Sequence, residues 1–308
     1  MNPIKNFNEL VTRFRSIEGN VRVAIVCPDD EASQHVIGRC LDERLADFTI
    51  ITCATDTGHY TAEAEKHPGH VTLLHAASPD EAARYGVELV RSGKADVLMK
   101  GIINTDNLMH AVLDKTCGLL PPGNVLSHIT LAQIPTYHKL LMFSDATVIP
   151  SPNLAQLDAM VRYDTALCHA LGISRPKVAL IHFSEKINPK FQNTIDYQDI
   201  KQRALAGAYG DILIDGPLDV KTSVDLHSCE VKGLASPVAG DADILIFPNL
   251  EAGNSFYKTL SFFGHATMAG VISGASSPIV LPSRADSAES KFYSLALACI
   301  AFRHNTTA

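Results

Sequence analysis

Short apolar runs alternate along this chain with stretches of helical periodicity. Phe7, Leu10, Val11 and Phe14 recur at helical spacing and predict an amphipathic helix over residues 3–17. Val21-Arg22-Val23-Ala24-Ile25-Val26-Cys27 then reads as a buried strand, stopped by Pro28-Asp29-Asp30. Val36, Ile37, Cys40 and Leu41 carry a second helix. Strands follow at 48–53 and 71–74, a helix at 79–92, and a strand at 95–99 running into Lys100-Gly101. Asn104-Thr105-Asp106-Asn107 reads as the cap of a helix through Leu108, Ala111, Val112 and Leu113.

The breaker-rich loop Gly118-Leu119-Leu120-Pro121-Pro122-Gly123-Asn124 precedes a second round of the same alternation. Helices are expected over 152–171, 197–206 and 252–263. Strands are expected over 178–183, 212–217, 242–248 and 268–273. Alternating strands and helices predict an α/β protein with mostly parallel sheets covered on both faces. Ligands of such sheets bind beyond the carboxyl ends of the strands. Lys100-Gly101 and Cys27-Pro28-Asp29-Asp30 lie at such ends. No linker separates two autonomous halves. The expected division is 1–130 together with 273–308 as one discontinuous domain, and 131–272 as the other.

Composition narrows the function. The 308 residues, 46% hydrophobic, support one large or two medium domains. A net charge of -7 offers no broad basic surface, so neither nucleic acid nor a membrane is expected as a partner. Cysteines at 27, 40, 53, 117, 168, 229 and 299 form no CxxC pair, which favours reduced thiols and no zinc site. The first residues lack the apolar core of a signal peptide, and no apolar run would span a bilayer. A cytoplasmic location is expected.

Chemistry concentrates near the C-terminus. The apolar run Pro278-Ile279-Val280-Leu281-Pro282 leads into Ser283-Arg284-Ala285-Asp286-Ser287-Ala288-Glu289-Ser290, and a helical pattern with Phe292, Leu295, Leu297 and Ile300 follows. A hydroxyl and a guanidinium at a helix start suit an anion. They equally suit a surface arginine and a cap. Asp286 and Glu289 fit a capping-box spacing. Upstream, Asn249, Asn254 and Lys258 follow a strand that stops at Pro248. They can approach a ligand, or Asn254 can cap a helix while Lys258 stays solvated. Ser236-Pro237-Val238-Ala239-Gly240-Asp241 is a turn-rich loop whose small residues permit close approach. His128 and His138 flank a strand and are two of 13 histidines. Neither a G-x-G-x-x-G nor a Walker A pattern occurs.

Taken in order, these stretches resemble the phosphate acetyltransferase and phosphate butyryltransferase family. The matching pieces are Met99-Lys100-Gly101, Ser127-His128, Asn188-Pro189-Lys190, Asp215-Gly216-Pro217-Leu218, Ser236-Pro237-Val238-Ala239-Gly240, Phe247-Pro248-Asn249-Leu250-Glu251-Ala252-Gly253-Asn254 with Tyr257-Lys258, and Ser283-Arg284. Tyr137-His138-Lys139-Leu140-Leu141, Glu185-Lys186-Ile187-Asn188-Pro189-Lys190 and the loop from Ser283 to Ser290 lean toward the butyryl branch.

The resemblance implies reversible acyl transfer between coenzyme A and orthophosphate. Acyl-CoA and phosphate are then small-molecule substrates, with no tightly bound cofactor and no metal. It also implies a two-domain α/β/α sandwich of the isocitrate/isopropylmalate dehydrogenase-like type, the site in the inter-domain cleft, and a homo-oligomer of two or more chains.

By carry-over, Ser283 stabilises the transition state and Arg284 binds phosphate. Lys100, Ser127, His128, Asn249, Asn254, Lys258 and Ser290 contact substrate. Two positions depart from the acetyl branch. Ser290 stands where that branch has an aspartate proposed as thiol base, which leaves Glu289 or Asp286 to substitute. Met109 stands where it has an arginine, whose charge Lys100 could supply. The competing readings are an acetyl-specific enzyme, a dehydrogenase of the related fold and a non-catalytic regulatory domain. A dehydrogenase would need a metal-binding aspartate cluster and a cofactor loop, and neither is evident. Ser283-Arg284 argues against a non-catalytic domain.

Overall fold

A computed structural model describes residues 2–307. In chain order the elements are α1 (Phe7–Arg15), β1 (Val21–Val26), α2 (Glu31–Asp42), β2 (Ala46–Thr52), α3 (Gly58–Lys66), β3 (Val71–His75), α4 (Pro79–Arg91), β4 (Val97–Lys100) and α5 (Thr105–Val112). Then come β5 (Ser127–Gln133), β6 (Leu141–Ser144), α6 (Leu154–Ala170), β7 (Lys177–Ile181), α7 (Gln192–Leu205), β8 (Leu213–Leu218), α8 (Val220–Val224) and α9 (Leu226–Lys232). The chain ends with β9 (Ile244–Ile246), α10 (Leu250–Phe262), β10 (Thr267–Ser273), β11 (Ile279–Val280) and α11 (Ala288–Thr307).

These elements form two compact units. Asn8–Asn124 joins the chain from Ala269 onward, and the residues through Phe7 join Val125–Met268. The first residues belong with the later segment because their backbone is used there. The Ile4 N–H donates to Leu171 O at 2.9 Å, and the Phe7 N–H to Gln133 Oε1 at 2.9 Å. Residues 3–6 are therefore not part of the first helix.

In the unit containing Asn8–Asn124 the strand order is β3-β2-β1-β4-β11-β10. All neighbours are parallel except β10 and β11. The register pairs Val26 with Lys100 and Val280 with Met99. The carboxyl ends of β1, β4 and β11 thus lie side by side. Gly101 is required there: a Cβ on it would fall 2.0 Å from Cys27 O. Its own N–H donates to Val26 O, and the Ile102 N–H to Cys27 O, each at 2.8 Å.

Helix starts are set by short polar side chains. Ser78 caps α4 through the Glu81 N–H, with Pro79 at the first helical position. Ala82, Ala83, Gly86, Val87 and Val90 form its buried face. Phe292 and Leu295 of α11 are fully buried. Burial of each such side chain contributes about 1.5–3 kcal/mol.

In the other unit the order is β5-β6-β9-β7-β8, with β5 antiparallel to β6 and the rest parallel. Leu141, Phe143, Ala179, Leu245 and Phe247 build its core, and the Phe143 ring lies 5.2 Å edge-on from Phe256 of α10. Asn153 and Gln156 form a reciprocal capping box at the start of α6.

Periodicity did not predict α3, α8 and α9. In α3 only Tyr60 is buried, so there is no apolar stripe to read. The other two are short and are set by the caps Asp219 and Asp225. No helix among the described residues is long and apolar enough to cross a membrane.

Candidate active site

Three cations gather at the carboxyl edge shared by β1, β4 and β11, and they are treated differently. Lys291, on the first turn of α11, is 1% exposed. Its Nζ donates to Asp30 Oδ1 at 2.6 Å and to Ser33 Oγ at 3.1 Å. Asp30 is also the N-cap of α2 and accepts the Ser33 N–H at 3.0 Å. Burial pushes the Asp30 carboxyl up, but hydrogen bonds from Lys291 and Ser33 outweigh it and hold the group below its ordinary 3.8.

Lys100 ends β4 and is 2% exposed. Its ammonium reaches only two carbonyls, Gly101 O at 3.1 Å and Pro282 O at 3.5 Å. No carboxylate among the described residues lies within ion-pair distance of it. Burial lowers its pKa, and the positive charges of Arg284 and Lys291 lower it further. Asp30 and Asp286 pull weakly the other way. The two cations act on Lys100 more strongly than the two carboxylates.

The loop after β11 folds on itself. The Ser283 N–H donates to Asp286 Oδ2 at 2.8 Å, and the Asp286 N–H returns to Ser283 O at 3.1 Å. The exposed Ser283 hydroxyl accepts a long bond from the Ala285 N–H at 3.4 Å, which leaves its proton to be donated. Arg284 is exposed, and its Nη2 donates to Asn104 Oδ1.

Two capping expectations are overturned. The cap of α11 is Ser287, whose Oγ accepts the Ser290 N–H at 3.2 Å and whose carbonyl accepts the Lys291 N–H. Asp286 is spent on Ser283, and Glu289 accepts the Tyr293 hydroxyl at 3.0 Å, so the two acids make no capping box. Asn104 sits at the N-cap of α5 but makes no side-chain cap bond. Ser290 lies in the first turn of α11, where its carbonyl accepts the Ser294 hydroxyl at 2.8 Å.

The unit containing Val125–Met268 holds the other candidates. Ser127 and His128 open β5. The Ser127 hydroxyl is fully buried and has no hydrogen-bond partner among the described residues. The His128 N–H donates to Asp145 Oδ2 at 2.8 Å, and its Nδ1 lies 3.3 Å from Thr130 Oγ1. The second oxygen of Asp145 accepts the Thr147 and Val148 N–H groups at 2.7 and 2.8 Å.

Helix α10 presses on the turn after β6. A Cβ on Gly253 would fall 2.1 Å from Asp145 O, and Asn254 Nδ2 donates to Ala146 O at 2.9 Å. The cap of α10 is Asn249, through the Ala252 N–H at 2.9 Å, and not Asn254. Asn249 also lines an open groove of about 930 Å³ with Phe183, Lys190 and Phe191, a volume suited to a small-molecule ligand. Lys258 is exposed, with Nζ 4.8 Å from the Tyr257 ring centroid. His138 is exposed and lies 2.9 Å from Asp241 Oδ1.

Lys100, Ser283, Arg284, Glu289 and Ser290 therefore share one unit, and Ser127, His128, Asn249, Asn254 and Lys258 share the other. Asp30 lies in the turn after the first strand, where the sequence already places a ligand; Asn104, Asp145 and Lys291 are not among the residues expected near one. For Lys291 a signal existed. It shares a helix face with Leu295 and Ala298, so a charge there needs a buried partner. Asp145 follows β6, a strand of only four residues.

The family model for Phosphate acetyl/butaryl transferase matches residues 59–299. The chain is 35% identical over 291 residues to a probable phosphate butyryltransferase of Bacillus subtilis strain 168, spanning 94% of this chain and 96% of the relative. It is 39% identical over 222 residues to a phosphate acetyltransferase of Thermotoga maritima, spanning 72% and 75%. Among solved structures it resembles a branched-chain phosphotransacylase from Enterococcus faecalis V583. The TM-score is 0.79 at 29% identity, covering 92% of this chain and 99% of that one.

Proposed function

We propose that this chain, which belongs to the phosphate acetyl/butyryl transferase family, performs its acyl transfer at the corner formed by Lys100, Ser283 and Arg284. It is a phosphate acyltransferase, reversibly moving an acyl group between coenzyme A and orthophosphate. Lys100 is the observation that carries the assignment of the corner. A buried ammonium with only carbonyl partners is costly unless an anion completes it. Phosphate is the anion this chemistry supplies.

Arg284 adds a planar fork of donors, suited to two phosphate oxygens at once. In the forward direction a phosphate oxygen attacks the thioester carbonyl. Negative charge develops on the carbonyl oxygen and then on the departing sulfur. The Ser283 hydroxyl, which donates to no acceptor among the described residues, is the donor we assign to that charge. In reverse the thiol loses its proton before attacking the acyl phosphate. Nearby cations acidify a thiol. Glu289, exposed on the same helix turn, is the carboxylate we assign to receive the proton. No covalent enzyme intermediate is needed when both substrates are held together.

For the acyl group we favour butyryl or a similar short chain over acetyl. The butyryl-type motifs and the full-length likeness to the Bacillus subtilis relative support this. One methylene changes discrimination by only about 1–3 kcal/mol, so a graded preference is expected rather than a sharp cutoff. The test is thiol release from acyl-CoA esters, acetyl through hexanoyl, with and without phosphate. Phosphate-dependent release peaking near butyryl supports the reading. A peak at acetyl overturns the chain-length assignment, and no release with any ester overturns the activity.

A further inference from the structure

We infer that Asn104 is a positioning residue for Arg284, and that this use has displaced its role as a helix cap. The inference rests on the reading of Arg284 as a phosphate ligand. Asparagine stands at the described N-caps of α5, α6 and α10. Asn153 accepts the Gln156 N–H and Asn249 the Ala252 N–H, the ordinary use of the residue. Asn104 stands at the N-cap of α5 and accepts neither of its first-turn amides. Its carbonyl oxygen instead accepts from Arg284 Nη2, across 180 residues of sequence.

The helix does not depend on that side chain for its place. Asn107, one turn along, donates to Asp80 Oδ1 of α4 at 2.5 Å, and α5 packs on α4. The chemistry of the partner matters too. Arg284 has no carboxylate within ion-pair distance among the described residues. An amide oxygen fixes one edge of the guanidinium without neutralising it, and leaves the remaining donors and the full charge for an anion. A long exposed arginine otherwise loses rotamer freedom on binding, and pre-orienting it removes part of that cost.

The test is steady-state kinetics and thermal unfolding of Asn104→Ala, Asn104→Ser, Arg284→Ala and the double variant Asn104→Ala/Arg284→Ala. Serine is a good N-cap but too short to hold the guanidinium. Both Asn104 variants are expected to raise the KM for phosphate about tenfold, the scale of one hydrogen bond to a charged group. The KM for acyl-CoA should stay within about twofold, and the melting temperature of the alanine variant should not fall. The double variant should be no worse than Arg284→Ala alone.

If serine restores the wild-type phosphate KM while alanine does not, Asn104 is a cap and the inference is wrong. If both leave it unchanged while Arg284→Ala raises it, the inference fails and the reading of Arg284 stands. If Arg284→Ala itself leaves it unchanged, both fall together.

Discussion

Two lysines lie buried within one unit, Lys100 at the end of β4 and Lys291 in the first turn of α11, and only Lys291 is paired with a carboxylate among the described residues. Lys291 is closed off by Asp30 and Ser33, which in turn start α2, so the bridge ties α11 to α2. Lys100 donates to the carbonyls of Gly101 and Pro282, the residue before Ser283, and feels the charge of Arg284 from the same loop. A paired buried charge completes the fold. An unpaired one is a cost to the fold that a bound anion relieves. Variants in the bridge should therefore move stability, and variants in the corner should move kinetics and ligand response.

The largest expected effect is on the chemical step. Ser283→Ala should lower kcat by about 10²–10³-fold, the scale of one lost transition-state donor, with little change in unfolding temperature. Full activity in that variant would remove Ser283 from the chemistry. Next, Lys291→Met should destabilise the protein by about 2–4 kcal/mol in denaturant unfolding, because it strands a partly buried Asp30. A neutral result would erase the distinction between the two lysines.

Smaller and opposite in sign, Lys100→Met should raise ligand-free stability by about 1 kcal/mol by removing an unpaired buried charge. It should also weaken the stabilisation by phosphate, which in the wild type is about 1.4 kcal/mol at ten times Kd. A loss of stability without phosphate would contradict the account.

The gentlest probe is pH. Asp30 is held below 3.8 when folded, so its contribution is full above that value and is lost as pH falls through the folded pKa. Lys100 is held below 10.5 when folded. Its penalty is full below the folded pKa and fades as pH rises toward and past 10.5. Lys291→Met should flatten the acid side of the stability curve and Lys100→Met the alkaline side. A Lys100→Met profile identical to wild type at high pH would show that the ammonium is not strained.

Strong periodicity made much of the architecture legible. The strands ending at Val26 and Lys100, and the amphipathic α4, follow from apolar patterns that tolerate little else. Elements without an apolar stripe were not legible: α3 buries only Tyr60, and the short α8 and α9 are set by their caps. The strand–loop–helix at Ser283 was read correctly as an element pattern, but its internal bonds were not. Several adjacent polar residues, Asp286, Ser287 and Glu289, all had cap-competent spacing, and backbone geometry selected Ser287. Asn104 and Asn254 show the same limit. Each looked like a cap, and each spends its amide on a distant partner, Arg284 and Ala146. A sequence states which residues can make a bond locally, whereas long-range competitors for that bond emerge only once the strands align.

The most direct test of the central claim is the phosphate dependence of acyl transfer in Arg284→Ala. Loss of a charge-assisted ligand should raise the phosphate KM by about ten- to a hundredfold while the acyl-CoA KM and the unfolding temperature stay near wild type. An unchanged phosphate KM would contradict the placement of phosphate at this corner.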